Sequence, residues 1–286
     1  MTEPVSTRKG IILMLLSVCF FATNCLIIRG VGIFAQVDGW MASFTRGLAG
    51  TIFVIAVYSR GGSLKITNLR KPLLIVRGLL GVTAITLLYF TIIHLGVARS
   101  LVINLTYPLF GTLIAAIFLR ERVRPLGMAL FCLAIIGLGL FFSSSFSNSS
   151  FSRYDLLALL GAVLAGAIVV SIRKLTSTES APTIYAAQCV ASLVLTLPPA
   201  IPSFPTTSSS AWVLLLLGGT VVAYGQILMT RGFHHLSVAQ GSALQMLIPI
   251  LAGFGGFFLF EESLTPVEMA GAAITLFATW RISVSR

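Results

Sequence analysis

The sequence predicts an all-α membrane protein, with ten transmembrane helices arranged as two inverted-topology five-helix repeats around a central cavity. Three observations predict this fold. The composition is strongly apolar, the apolar residues fall into ten separate runs, and an internal repeat relates the two halves of the chain. The same observations exclude an ordinary soluble domain.

The composition indicates that lipid is the solvent for most of the chain. Of 286 residues, 57% are hydrophobic and only 9% are charged, and the mean hydropathy is +1.00. Soluble domains carry about 25% charged residues, and so few charges could not cover the surface of a soluble globule. Because a spanning helix needs roughly 20 apolar residues, the chain has room for about ten helices and no soluble domain.

Ten apolar runs, each bounded by charge, glycine or proline, are predicted as the spanning helices. They lie near residues 11–28, 40–58, 73–93, 97–119, 126–142, 156–172, 183–201, 211–230, 238–260 and 266–280. The first run is longer than the apolar region of a signal peptide, and no small-residue cleavage site follows it, so it is predicted to be a retained helix. The polar stretch 143–153 separates the fifth and sixth runs and predicts two domains, residues 1–150 and 151–286.

Lysine and arginine orient the helices, because short cytoplasmic loops carry an excess of both. With the N-terminus inside, fifteen of the nineteen fall on the cytoplasmic side, Arg77 among them. Three fall outside (Arg29, Arg99 and Arg153), and Arg46 lies within the second run. We therefore predict a multi-pass protein of the cell inner membrane with both termini in the cytoplasm. The net charge of +11 is then a positive-inside signature and not a nucleic-acid footprint.

An internal repeat relates the two halves. A shift of 141 residues aligns 94–125 with 235–266 without a gap, with seven identities in 32 positions. Four of the seven are histidine, proline or glutamate, which are scarce in this chain, and this argues against coincidence. Because each half holds five runs, the second half must cross the membrane in the opposite orientation. Inverted repeats are typical of secondary transporters, whose halves alternate access to a site near the midplane.

Motifs within this repeat carry a family resemblance. They are Leu88-Tyr89-Phe90, Val97-Ala98, Tyr107-Pro108 and Leu119-Arg120-Glu121-Arg122, which recur as Val238-Ala239, Ile248-Pro249 and Phe260-Glu261-Glu262. Together with Asn24 and Arg46 in the first two helices, they make the chain resemble the EamA-type, ten-helix branch of the drug/metabolite transporter superfamily. The resemblance implies a basket of ten helices around a central cavity and the export of small metabolites, most often amino acids. Within the branch, the chain is similar to aromatic or broad-range amino-acid exporters.

Pro108 and Pro249 occupy equivalent positions in the two halves and are predicted helix breaks. Proline lacks an N–H, so the carbonyl four residues earlier loses its helical hydrogen bond, and these carbonyls belong to Asn104 and Gln245. Each half thus places a side-chain amide and a freed carbonyl near mid-membrane, where polar groups are costly unless they face protein or water. Two interpretations stay open: an interhelical hydrogen bond at a kink, or a polar lining for the substrate.

Further residues are candidates for lining the cavity, and each has a structural alternative. Arg46 either extends towards the outer interface or faces the cavity and binds a substrate carboxylate. Tyr89 and Tyr107 either anchor helices at the membrane interface or present an aromatic face to the substrate. The remaining candidates are Tyr224 and Gln226, which lie deeper in their helix, and Asn24 in the outer half of the first helix.

Several kinds of chemistry are absent from the sequence. No carboxylate lies firmly within an apolar run, which argues against the exchange site of a proton-coupled cation antiporter. The four cysteines lack metal-type spacing and are interpreted as buried thiols, so neither a metal nor another cofactor is predicted. The sequence contains no H-E-x-x-H or G-x-S-x-G motif and no intramembrane aspartate pair, which argues against an enzyme.

The predicted function is export of small metabolites, amino acids first, by a secondary transporter that alternates access. The predicted partners are a small-molecule substrate and the lipid bilayer, without nucleic acid. There are two alternatives. One is a scaffold without a cavity, and the other is a carrier of drugs, nucleotide sugars or phosphate esters in the same fold. A phosphate ester would require several basic side chains in the cavity. Only Arg46 is expected there, so a second basic side chain would favour the phosphate-ester carrier.

Overall fold

The computed structural model describes residues 6–34, 37–59, 63–95, 97–122, 124–143, 152–260 and 265–284. The regular elements in these ranges are helices, and no strand occurs among them. In chain order the helices are α1 (Thr7–Phe34), α2 (Gly39–Tyr58), α3 (Pro72–Leu95), α4 (Val97–Asn104), α5 (Tyr107–Phe118), α6 (Pro125–Phe141), α7 (Arg153–Leu175), α8 (Ala181–Ala200), α9 (Ser209–His235), α10 (Val238–Gln245), α11 (Ile248–Phe260) and α12 (Pro266–Val284). Short 3-10 turns lie at Ile66–Arg70 and Ile201–Ser203.

Within the described ranges, eight helical stretches are long and apolar enough to cross a membrane. Two more apolar stretches, Pro72–Leu88 and Pro125–Phe141, are shorter. Large apolar side chains such as Ile117 and Phe258 are 75% and 77% exposed, which suits a surface covered by lipid and not by water. The prediction of an all-helical membrane protein is therefore confirmed. The predicted seam at residues 143–153 lies mostly outside the described residues.

The fourth and ninth runs are each divided into two helices. A helix break was predicted in each, and α4 ends at Asn104 and α10 at Gln245, while each run still counts as one candidate span. Pro108 and Pro249 each occupy the second residue of the helix that follows, where a missing N–H leaves no intrahelical bond unmade. The break therefore lies just before each proline, as the chemistry of proline predicts.

The helices close a ring through their contacts. Going around it, α7 is followed by α3, α8, α2, α9 and α1, and the interrupted segments α10–α11 and α4–α5 complete the circuit. Helices α6 and α12 pack against each other beside α10, outside the ring. The interior of this ring is the place where a central site can form.

Small residues bring neighbouring helices close together, as is usual in membranes. At the crossing of α6 and α12, a Cβ atom added to Gly271 would lie 2.4 Å from the Phe141 nitrogen and 2.5 Å from the Gly137 oxygen. The Thr275 hydroxyl also donates a hydrogen bond across this crossing to the Ala134 carbonyl, at 3.2 Å. The two helices therefore touch through their backbones.

The cysteines differ from the prediction in their exposure. Cys189 is buried and Cys25 is half-buried, whereas Cys19 and Cys132 are exposed. The interpretation of all four as buried thiols is wrong for the last two, because they lie on helix faces that no other described helix covers. On α1, the exposed Ile12 and Leu16 share that face with Cys19.

Candidate functional site

Three helices of the ring carry a polar side chain on the face opposite their exposed apolar residues. Residues turn by about 100° per position around a helix, so Arg46, Arg77 and Gln188 point away from the lipid-facing side of α2, α3 and α8. The exposed residues opposite them are Ile52 and Ile55 on α2, Ile75 and Leu79 on α3, and Val190 and Val194 on α8. The interior of the ring is therefore polar where these three helices meet.

Arg77 is fully enclosed by this interior. It is 1% exposed, and its Nη2 donates a hydrogen bond to Gln188 Oε1 at 2.8 Å. Its Nε and Nη1 are buried without a hydrogen-bond partner among the described residues. Arg77 was predicted at the cytoplasmic rim because it lies only five residues after the start of α3, but its side chain is enclosed in the interior. The helical phase relative to Ile75 and Leu79 was the signal that could have identified it.

The Arg77 side chain extends deeper into the bundle. A Cβ atom added to Gly81, one turn further along α3, would lie 2.6 Å from Arg77 Nη1 and 3.0 Å from the Gln188 side chain. The guanidinium therefore lies level with Gly81, on the side away from the nearer helix end at Pro72. An arginine that reaches for the membrane interface extends towards the nearer end instead.

Arg46 lies on the interior side of α2 and is half-buried. Its Nε is buried and has no hydrogen-bond partner in the described part of the chain. Its charge lies close enough to the Cys25 thiol and to Arg77 for an electrostatic interaction. Two cationic groups thus share one interior, together with the neutral Gln188.

The remaining candidates on α1 and α9 lie in three different settings. Gln226 is 6% exposed, faces the same interior, and its Oε1 has no hydrogen-bond partner among the described residues. The Asn24 oxygen lies against Gly218, 3.0 Å from the position of an added Cβ atom, in the contact between α1 and α9. Tyr224 is 45% exposed on the face of α9 that carries Leu217, and its ring stacks on Phe20.

The candidates around the helix breaks are engaged with neighbouring helices. Gln245 is 4% exposed, and its Nε2 lies 3.0 Å from Met14 Sδ and 3.4 Å from Ser17 Oγ on α1. Asn104 is half-buried, and its Nδ2 lies 3.6 Å from the position of a Cβ atom added to Gly161 on α7. The two amides therefore contact different helices, α1 for Gln245 and α7 for Asn104. Tyr107, Pro108 and Pro249 are buried, and the side chain of Tyr89 lies outside the described residues.

The acidic residues that the structure describes lie at helix ends. None of them is beside Arg46 or Arg77. They are Asp38 at the start of α2, Glu121 between α5 and α6, Asp155 in the first turn of α7, Glu179 between α7 and α8, and Glu268 in the first turn of α12. The described ranges contain no group of three or more His, Cys, Asp or Glu that could hold a metal ion.

A second region lined by polar side chains is a cleft of about 880 Å³ at the end of the bundle where α1 begins and α12 ends. Arg8, Arg122 and Arg124 lie around it, together with Glu121 and Gln240. Neither Arg46 nor Arg77 lines this cleft, so it is separate from the interior arginines.

Comparisons with known proteins find a matching family and several related transporters. The sequence model described as the EamA-like transporter family matches residues 8–143 and 152–284. Pseudopaline exporters named CntI from two strains of Pseudomonas aeruginosa are 26% and 27% identical to the chain, with 96% of each sequence covered. A riboflavin transporter from Brucella anthropi is 23% identical over 83% of this chain and 85% of its own length.

A known crystal structure has the same fold. Its TM-score is 0.79 with 16% sequence identity, and the match covers 96% of each chain. At this identity the likeness concerns the fold alone. The relatives are transporters whose names give different substrates, so the comparisons identify a kind of protein and not its substrate.

Proposed function

The chain belongs to the EamA-like transporter family, and we propose that it exports small carboxylate-bearing metabolites, amino acids first, by alternating access. One observation carries this proposal. The Arg46 Nε is buried on the interior side of α2 and has no hydrogen-bond partner among the described residues. A buried N–H donor without a partner is costly, and a substrate carboxylate would satisfy this one with a charge-assisted hydrogen bond.

Alternating access requires two related halves, residues 1–150 and 151–286, in opposite orientations. The helix contacts support this relation. If α1–α6 correspond in order to α7–α12, the contact of α1 with α9 becomes that of α7 with α3, and α2 with α9 becomes α8 with α3. The contacts of α2 with α8 and of α6 with α12 map onto themselves. These contacts are therefore unchanged by exchange of the halves, whereas the contact of α10 with α5 has no equally close counterpart among the described residues.

Location and orientation form part of the same proposal. The chain lies in the cell inner membrane with both termini in the cytoplasm, supported by the fifteen basic residues on that side against three outside. Arg77 was counted among the fifteen. When it is left out because it lies in the interior, the excess of basic residues on the cytoplasmic side is still strong.

Energy coupling follows from the positions of the acids. Those that the structure describes lie at helix ends, where they cannot exchange a proton with a substrate at the bundle centre. We therefore propose export down the concentration gradient of the substrate. A substrate-driven pH change inside weakly buffered proteoliposomes would contradict this mechanism.

A carrier of phosphate esters is the second candidate, and Arg77 is the observation that favours it. A phosphate ester requires a second basic side chain in the interior, and Arg77 is one. Arginine forks match phosphate oxygens as well as they match carboxylates. The substrate panel must therefore contain both chemical groups.

Flux in proteoliposomes tests the proposed function. Purified protein is reconstituted, and uptake of labelled amino acids, phosphate esters, riboflavin and organic cations is compared with uptake into protein-free vesicles. We expect saturable flux for carboxylate-bearing compounds and none for the cations. The Arg46→Gln variant should lose most of this flux, whereas Arg70→Gln, which changes an exposed arginine, should retain it. Flux confined to cations would overturn the proposal.

A further inference from the structure

The interior of the ring holds more positive charge than one carboxylate can balance. Arg46 on α2 and Arg77 on α3 both point into it, and both helices pack against α8, whose Gln188 accepts a hydrogen bond from Arg77. Like charges repel strongly where water is scarce, and a buried cation is costly unless it is paired. The described acidic residues lie at helix ends, two of them in ion pairs with Lys71 and Arg173, and none is beside either interior arginine.

The hydrogen-bond donors of Arg77 are only partly used. A guanidinium has five N–H donors in a planar fork. Gln188, a neutral acceptor, receives a bond from Nη2, and the buried Nε and Nη1 have no partner among the described residues. Gln188 therefore fixes the orientation of the fork without neutralising its charge.

The position of Arg77 argues against a purely structural role at the membrane interface. Its fork lies level with Gly81, where an added Cβ atom would come within 2.6 Å of Nη1. The absence of a side chain at this position gives the guanidinium its room between α3 and α8. The fork thus extends into the interior that Arg46 also faces, and away from the nearer end of α3.

We propose that Arg46 and Arg77 together form one binding site for a doubly negative substrate. The two negative charges are either two carboxylates on one small molecule or the two charges of one phosphate group. The proposal rests on the proposed function and narrows its substrate class from metabolites with one carboxylate to acidic ones. A zwitterion with a single carboxylate would leave one arginine without a counter-charge.

Binding of small anions to the purified protein tests this proposal without knowledge of the natural substrate. The thermal unfolding midpoint is measured against increasing succinate, inorganic phosphate, acetate or chloride, at constant ionic strength and slightly alkaline pH. Charge-assisted hydrogen bonds predict that the doubly charged anions bind at least about tenfold more tightly than acetate. A preference for succinate over phosphate would identify two carboxylates as the natural group, and the reverse would identify a phosphate.

Substitutions connect the effect to the two arginines. Arg77→Gln and Arg46→Gln should each reduce the preference for doubly charged anions about tenfold and bring their affinity near that of acetate. Arg77→Lys keeps the charge and should retain part of the preference, even if the glutamine variant is too unstable to measure. Arg70→Gln, at an exposed position, should leave the preference unchanged.

The outcomes for the site and for the proposed function are distinguishable. Equal stabilisation by succinate, phosphate and acetate in the unsubstituted protein would overturn the two-arginine site. Survival of the preference in both glutamine variants would overturn it as well. Flux of asparagine but not of aspartate in proteoliposomes would also contradict the site while the proposed function stands. Tight binding of the doubly charged anions without flux of any carboxylate would support the site and refute the function.

Discussion

The Nε of Arg173 lies 3.6 Å from Oε1 of Glu121, an ion pair that joins the end of α7 to the segment between α5 and α6. The same carboxylate accepts a hydrogen bond at 3.0 Å from the Val238 N–H, at the start of α10, where the helix dipole favours negative charge. Arg173 Nη1 donates to the carbonyls of Phe233 and His234, at 2.9 and 2.8 Å. The pair therefore ties α7, α9 and α10 together at one end of the bundle.

Glu121→Gln is expected to loosen this end of the bundle. The amide keeps the shape of the side chain but loses the ion pair, at a cost of about 1 kcal/mol in the free energy of unfolding. In a background without native cysteines, a cysteine at the buried position Ser242 on α10 should then be labelled faster by a thiol reagent. A double-mutant cycle with Arg173→Gln is the control, because strictly additive effects of the two changes would contradict a direct interaction.

Gly137→Ala is expected to destabilise the crossing of α6 and α12. The added Cβ atom would lie 2.4 Å from Thr275 Oγ1 and 2.8 Å from the Gly271 carbonyl oxygen, so the helices would have to move apart. Overpacking of this kind costs about 1–3 kcal/mol. Gly139→Ala is the matched control on the same helix, since nothing lies within 4 Å of its added Cβ atom. Equal unfolding midpoints for the two variants would show that α6 and α12 do not touch here.

Glu179 should make stability depend on pH in the acidic range. Burial raises the pKa of its carboxyl, but hydrogen bonds from Lys71 and Asn68 outweigh burial and bring the pKa below its usual value. A lowered pKa in the folded state gives stability that is complete above the unfolded value of about 4.3 and is lost as the pH falls through the folded value. We expect the unfolding midpoint to fall on acidification below that range. Glu179→Gln should remove this part of the pH dependence, and an unchanged acid profile in the variant would contradict the assignment.

The polar segment between the two halves should face the outside of the cell. A Ser147→Cys variant in a cysteine-free background provides a label at a position outside the described residues. Because the basic residues place both termini in the cytoplasm, an impermeant thiol reagent added to intact cells should modify this cysteine. Modification only after permeabilisation would reverse the orientation of the whole chain.

The apolar segments and the two helix breaks could be predicted because their causes are local. Lipid demands a continuous apolar run for each span, and proline disrupts the backbone within one turn of itself. Hydropathy alone would not have shown these breaks, since the apolar runs continue through Leu105 and Met246. Hydropathy measures the environment of a segment and not the path of its backbone.

The interior site could be predicted only in part, because its contacts join distant parts of the chain. Arg46 was identified, since it lies six residues inside its predicted run, deeper than any other lysine or arginine. Arg77 was missed because its position near the start of α3 resembled an interfacial arginine. Its partner Gln188 is 111 residues away, and the contact of Gln245 with Ser17 spans 228 residues. Such pairings depend on which helices become neighbours, which a single sequence does not encode locally.

Asn104 and Gln245 are equivalent in the repeat, and their lining of a common cavity stays a prediction. Their contacts now lead us to expect different outcomes for the same substitution to leucine. Gln245 is 4% exposed and donates to α1, so Gln245→Leu should lower the unfolding free energy by about 1 kcal/mol and leave substrate affinity unchanged.

Asn104 is half-buried, so its amide is less enclosed than that of Gln245 and we expect it to be accessible to a substrate. Asn104→Leu should therefore weaken substrate affinity several-fold, because a hydrogen bond worth about 0.5–1.5 kcal/mol is lost. Its thermal stability should be retained, since the change lowers polarity in an apolar setting. Measuring the unfolding midpoint and the flux of both purified variants separates binding from packing. Lost stability with unchanged affinity in Asn104→Leu would make both amides structural, and the binding of the substrate would then depend on the interior arginines alone.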